Sequence, residues 1–118
     1  MIVFLKAKQP ELSNDIQSAV VLINEHFEMS NTNLSLNDSV IDSMSLLKQK
    51  MTELVAYLME RNIEKLLSAI YRIDVDERKF KEALDSGEDI NQIASNIADL
   101  IINRELEKVK YRNLYGKK

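Results

Sequence analysis

Apolar residues recur along the chain at spacings of three and four, the period of an α-helix with one buried face. Leu12, Ile16, Ala19, Val20, Ile23 and Phe27 form the first such stripe, and Ser13 with Asn14 and Asp15 supplies a cap and early negative charge. A helix over 13–28 follows. The next stretch, SNTNLSLNDS, is crowded with Asn and Ser, whose side chains compete for backbone hydrogen bonds and favour turns. It predicts a loop over 30–38, the clear linker of the chain.

Ser39 with Asp42 three residues on resembles a capping box, and Val40, Met44, Leu47, Met51, Leu54, Val55 and Leu58 form the next stripe. A second helix is expected over 40–60. The stripe resumes out of phase at Ile63, Leu66, Leu67, Ile70 and Ile73, which predicts a helix over 63–73. A stop near Arg61 and Asn62 would produce that shift; an unbroken helix to residue 73 is the alternative. Phe80, Ala83 and Leu84 mark a short helix over 77–84, ended by Asp85, Ser86 and Gly87, with the glycine in the left-handed conformation.

Asp89 then caps a last helix over 89–112. Its apolar positions Ile90, Ile93, Ala94, Ile97, Ala98, Ile101, Ile102, Leu106 and Val109 cover more than half of the circumference, so it should be the most buried helix. Ala94 and Ala98, one turn apart, admit a close neighbour. The opposite stripe, Gln92, Asn96, Asp99 and Asn103, reads as a solvated face, with a polar groove as the alternative. No segment alternates with a period of two except Ile2 to Leu5, and residues 1–9 are expected to be a disordered or short extended tail. The fold class expected is all-α, one compact bundle of four to five helices.

The 118 residues suffice for one domain with its own core, and the low Gly (2) and Pro (1) counts fit long helices. The N-terminus has too few leading apolar residues for a signal h-region, and no run approaches a membrane span. A soluble, cytoplasmic protein with no membrane partner is the expectation. Asn33 and Asn37 match the glycosylation pattern, but Asn and Ser are so frequent there that chance explains the match.

The absence of cysteine and the single histidine, His26, leave no ligand set for a soft metal. His26 lies between Ile23 and Phe27 and reads as a boundary residue of the first helix. A calcium loop counted from Asp74 places Arg78 fifth, Lys79 sixth and Asp85 twelfth, where it needs an oxygen ligand, a glycine and a glutamate. No glycine loop cradles a phosphate, and no serine stands with a histidine base in a known motif. No catalytic residue, cofactor or metal is therefore expected.

Charge is unevenly spread. Residues 103–118 hold six cations, Arg104, Lys108, Lys110, Arg112, Lys117 and Lys118, against two acids, a local +4 that leaves −7 on the rest for the overall −3. With Tyr111 and Tyr115 this segment suits nucleic acid, or else merely complements a helix C-terminus.

The stretch YRIDVDE, residues 71–77, sets three acids beside two β-branched residues. With Asp76 as the cap, Val75 and Phe80 take the flanking positions of a hydrophobic staple and Glu77 lies in the first turn; with Asp74 as the cap, Glu77 completes a capping box. The staple favours Asp76. Asp74 then opposes the dipole of the preceding helix unless it bonds the next helix start or pairs with Arg72, Arg78 or the distant Arg104. Arg72, Asp74, Arg104, Lys108, Lys110 and Arg112 are the candidate interaction residues, and Asp76 and Glu77 the structural cap.

Residues 62–84, NIEKLLSAIYRIDVDERKFKEAL, and 93–112, IASNIADLIINRELEKVKYR, together resemble a small family of uncharacterised bacterial helical proteins. There a YRIDV-type junction precedes an IADLII-type helix with a basic end. The resemblance implies a cytoplasmic helical fold and transfers no functional residue. The broad apolar faces of the second and last helices, with Met44, Met51 and Met59, suit a non-catalytic protein-interaction module that forms a homo-oligomer or holds a protein partner, and equally a single intramolecular core. Nucleic-acid binding through the basic end is the alternative.

Overall fold

The structure is a computed structural model that describes residues 10–27, 44–87 and 89–115. Five helices follow in order: α1 (Pro10–His26), α2 (Met44–Arg61), α3 (Ile63–Ile73), α4 (Glu77–Ser86) and α5 (Ile90–Tyr115). They form an all-α bundle, with no strand among the described residues. The expected tail, the loop over 30–38 and the Ser39 and Asp42 capping box lie outside the described residues.

Helix α1 starts earlier than Ser13, so that serine lies inside the helix and is not its cap. Pro10 opens the first turn, where its missing N–H costs nothing and its fixed φ is already helical. Helices α2 and α3 are separate. Asn62 breaks them with φ −159° and ψ 71°, and its side-chain oxygen accepts from the backbone N–H of Lys65, capping α3. That break is the cause of the phase shift in the apolar stripe.

The end of α3 is a Schellman motif. The Val75 N–H donates to Ile70 O at 3.3 Å and the Asp74 N–H to Tyr71 O at 3.1 Å, with Asp74 left-handed at φ 66° and ψ 50°. Two residues later Asp76 caps α4, accepting from the N–H groups of Arg78 and Lys79. Val75 and Phe80, the staple residues, are both buried in the core. Glu77 is exposed in the first turn of α4.

Gly87 corrects one expectation. Helix α4 ends there, but Gly87 has φ −108° and ψ 162°, an extended conformation open to any residue. Its glycine is required by space, since a Cβ would stand 2.8 Å from Ile93 Cγ1 and 3.0 Å from Ile93 N. The chain turns tightly there into α5, which Asp89 caps through the N–H of Gln92.

Helix α5 packs against all four other helices. Ala94, Ile97, Ala98 and Ile101 are fully buried, meeting Leu47, Met51 and Val55 of α2 and Ile16, Ala19 and Ile23 of α1 in one continuous core. Ion and amide pairs tie its other side to its neighbours: Lys48 with Asp99 at 2.8 Å, and Asn96 Nδ2 donating to Ser86 Oγ at 2.7 Å. The stripe of Gln92, Asn96 and Asp99 is thus a surface seam.

Two substitutions test these local readings. Asp76→Ala should lower stability by about 1 kcal/mol through loss of the cap, read as a lower urea midpoint with an unchanged slope. Gly87→Ala should cost about 1 to 3 kcal/mol as overpacking; a gain of about 0.4 to 1 kcal/mol, as at an open extended position, would contradict the close approach to Ile93.

Candidate functional site

Two polar constellations depart from the bland pattern of a solvated bundle. The first lies where the α3–α4 junction meets α5. Arg104 donates from Nε to the Asp74 carbonyl at 3.1 Å, from Nη2 to Asp74 Oδ2 at 3.4 Å and from Nη1 to Glu107 Oε1 at 3.2 Å. Of the three arginines open to Asp74, the distant Arg104 is thus its partner. Asp74 is the sole non-glycine residue with positive φ among the described residues.

Beside this clamp runs an open groove of about 700 Å³, lined by Asp74, Val75, Asp76, Lys79, Leu100, Asn103, Arg104, Leu106, Glu107 and Lys110. Val75 and Leu106 are buried and Leu100 half-buried, giving it an apolar floor. The walls carry three acids and three cations.

The basic segment does not present a single face. At about 100° per residue, Lys108 and Arg112 lie roughly 160° to 200° round α5 from Lys110. Lys110 faces the groove; Lys108 is half-buried beside Glu105, and Arg112 is exposed. Arg72 is apart from both, donating from Nη1 to His26 O at 3.3 Å. Of the six candidate interaction residues the structure brings together Asp74, Arg104 and Lys110.

The second constellation is the pair His26–Glu105. His26 ends α1 and its Nδ1 lies 2.6 Å from Glu105 Oε2, with the histidine side chain 23% exposed and the glutamate 0%. The other oxygen, Glu105 Oε1, is buried without a hydrogen-bond partner. Burial pushes the Glu105 carboxyl above its ordinary value, opposed by the hydrogen bond and charge of His26 and by the nearby charges of Lys108 and Arg104. The histidine at the rim of α1 is thus a partner to a buried acid.

Glu105 escaped the sequence reading, which counted it among the charges of the C-terminal segment. A signal was there: it stands four residues from both Ile101 and Val109, inside the apolar arc of α5. Among the described residues no group of three or more His, Asp or Glu side chains could hold a metal ion, and no helix is long and apolar enough to cross a membrane.

The pair predicts a pH dependence. A carboxyl whose folded value is raised stabilises the fold below its unfolded value, and that contribution is lost as pH rises through the folded value. Glu105→Gln keeps the shape and a hydrogen-bonding group without the charge. The variant should therefore gain on the wild type as pH rises from about 5 to about 8, in urea midpoints measured across that range. A difference constant with pH would show that Glu105 titrates as an ordinary carboxylate.

Comparison of the chain with family models, with curated proteins and with solved structures finds no match in any of the three.

Proposed function

We propose that this chain is a non-catalytic helical interaction module that associates with a second copy of itself through α3. The observation that carries this reading is an apolar row on that helix: Ile63, Leu67 and Tyr71, one turn apart and 42%, 45% and 86% exposed. Leu66, Ala69, Ile70 and Ile73, which face the core, occupy an arc of roughly 100°, and the row widens the apolar arc to roughly 200°. The bundle covers half of it.

The methionines give no such support. Met51 is fully buried, and Met44 and Met59 pack against the same core, so the broad face of α2 is used within the chain. On α3 the surplus is real surface. Two copies of a short helix packed antiparallel about a twofold axis would set Leu67 against its own counterpart and Tyr71 against Ile63 of the other copy, a self-complementary arrangement. Tyr71, almost fully exposed, has a large ring surface to bury, and tyrosine is enriched among the residues that dominate interface energetics.

Light scattering over a concentration series tests the reading. The wild-type mass should rise toward that of a dimer, and Leu67→Glu should hold the monomer mass at every concentration while leaving the melting temperature within a few degrees. A monomeric wild type at the highest concentration, or a dimer indifferent to Leu67→Glu, would overturn it.

A further inference from the structure

The groove between the α3–α4 junction and α5 holds polar groups whose internal pairing is lopsided. Each of its acids is already engaged. Asp74 and Glu107 both accept from Arg104, and Asp76 accepts from the backbone N–H groups of Arg78 and Lys79. The side-chain ammonium groups of Lys79 and Lys110 have no acidic partner among the described residues, although both line the groove. The side chains left without an opposite charge are thus two lysines, in a groove whose formal charges sum to zero.

From this the geometry points to a binding site for a small amphipathic carboxylate, its anionic head between Lys79 and Lys110 and its hydrocarbon body on Val75, Leu100 and Leu106. The volume of about 700 Å³ lies in the range of small-ligand sites, and three of the ten lining residues, Val75, Leu100 and Leu106, are apolar. Asn103 adds an exposed amide on the same lining, able to donate to a carboxylate oxygen. The clamp on Arg104 gives that side of the groove a fixed shape. Two hydrogen bonds tie the guanidinium to Asp74 of the junction and a third to Glu107 on its own helix, so the wall of α5 does not have to be ordered when a ligand arrives.

The head group alone would be held weakly, because two exposed ammonium groups in water offer little to a small ion. The body alone would lack direction. Recognition requires both, which separates this ligand class from inorganic anions and from neutral apolar molecules. The site is distant in kind from the apolar row of α3, and it does not depend on association of two copies.

The experiment is an amide NMR titration of the full chain carrying Leu67→Glu, which keeps association out of the measurement. Hexanoate is the probe, with inorganic phosphate and hexanol as matched arms. Hexanoate should give saturable shifts at Val75, Lys79, Leu100, Asn103 and Leu106 below about 10 mM, while phosphate and hexanol do not saturate. The double variant Lys79→Ala with Lys110→Ala, both at exposed positions, should weaken hexanoate at least tenfold and leave the melting temperature unchanged. Absence of saturation with hexanoate, equal binding of hexanol or phosphate, or indifference to the double variant would each overturn the site.

Discussion

The packing of α5 against all four other helices is the constraint from which the other features follow. A helix that meets four neighbours must be apolar over the broad arc it turns to them and small where a neighbour comes close. Ala94 and Ala98 meet the second demand, and both are fully buried. Gly87 meets it from outside, since the turn entering α5 runs so near Ile93 that a single methyl would collide. A bundle arranged around one central helix also fixes where polar chemistry can appear, namely at the rims where two neighbours of α5 part.

Glu105 is the exception to that rule, and it shows how the rule is bent. A carboxylate placed inside an apolar arc must be neutralised or paired, because an uncompensated buried charge costs several kcal/mol. Its partner arrives from α1, which runs antiparallel to α5: His26 meets Glu105 at one end and Asp15 accepts from Asn113 at the other. Only one carboxylate oxygen is satisfied. The pair therefore fixes the register of α1 on α5 more than it strengthens it, since a shift of one turn would leave the acid buried alone. Single buried polar residues fix register in this way in some coiled coils.

How much of this was legible in the sequence depended on range. Caps are local chemistry, and Asp76, Asp89 and the helix lengths around them were readable because each signal lies within four residues of what it governs. The break at Asn62 was visible only as a phase shift, because the capping bond to Lys65 that decides it competes with an ordinary continuous helix. The tertiary pairs were harder. Asp74 with Arg104 spans 30 residues and was one of three open choices; His26 with Glu105 spans 79, and while the apolar arc of α5 marks Glu105 as buried, nothing local names its partner. The exposed row on α3 was hidden for a different reason, since Ile63, Leu67 and Tyr71 look like core until one knows how many neighbours that helix has.

Asp74 ties the two ranges together. Its left-handed backbone is demanded by the Schellman turn, where glycine would be relaxed and an L residue gives up about 1 kcal/mol. The return within the fold is small, because its ion pair with Arg104 is 3.4 Å long and the aspartate side chain is 82% exposed, and such surface pairs contribute at most about 1 kcal/mol. The stronger hold on Arg104 is the backbone carbonyl of residue 74, which any residue would supply. Stability alone therefore gives aspartate no clear advantage over glycine here. What only the aspartate adds is a third acceptor for the guanidinium, beside the residue-74 carbonyl and Glu107, at the edge of the groove. Its carboxylate therefore bears more on the surface the bundle presents than on the stability of the bundle.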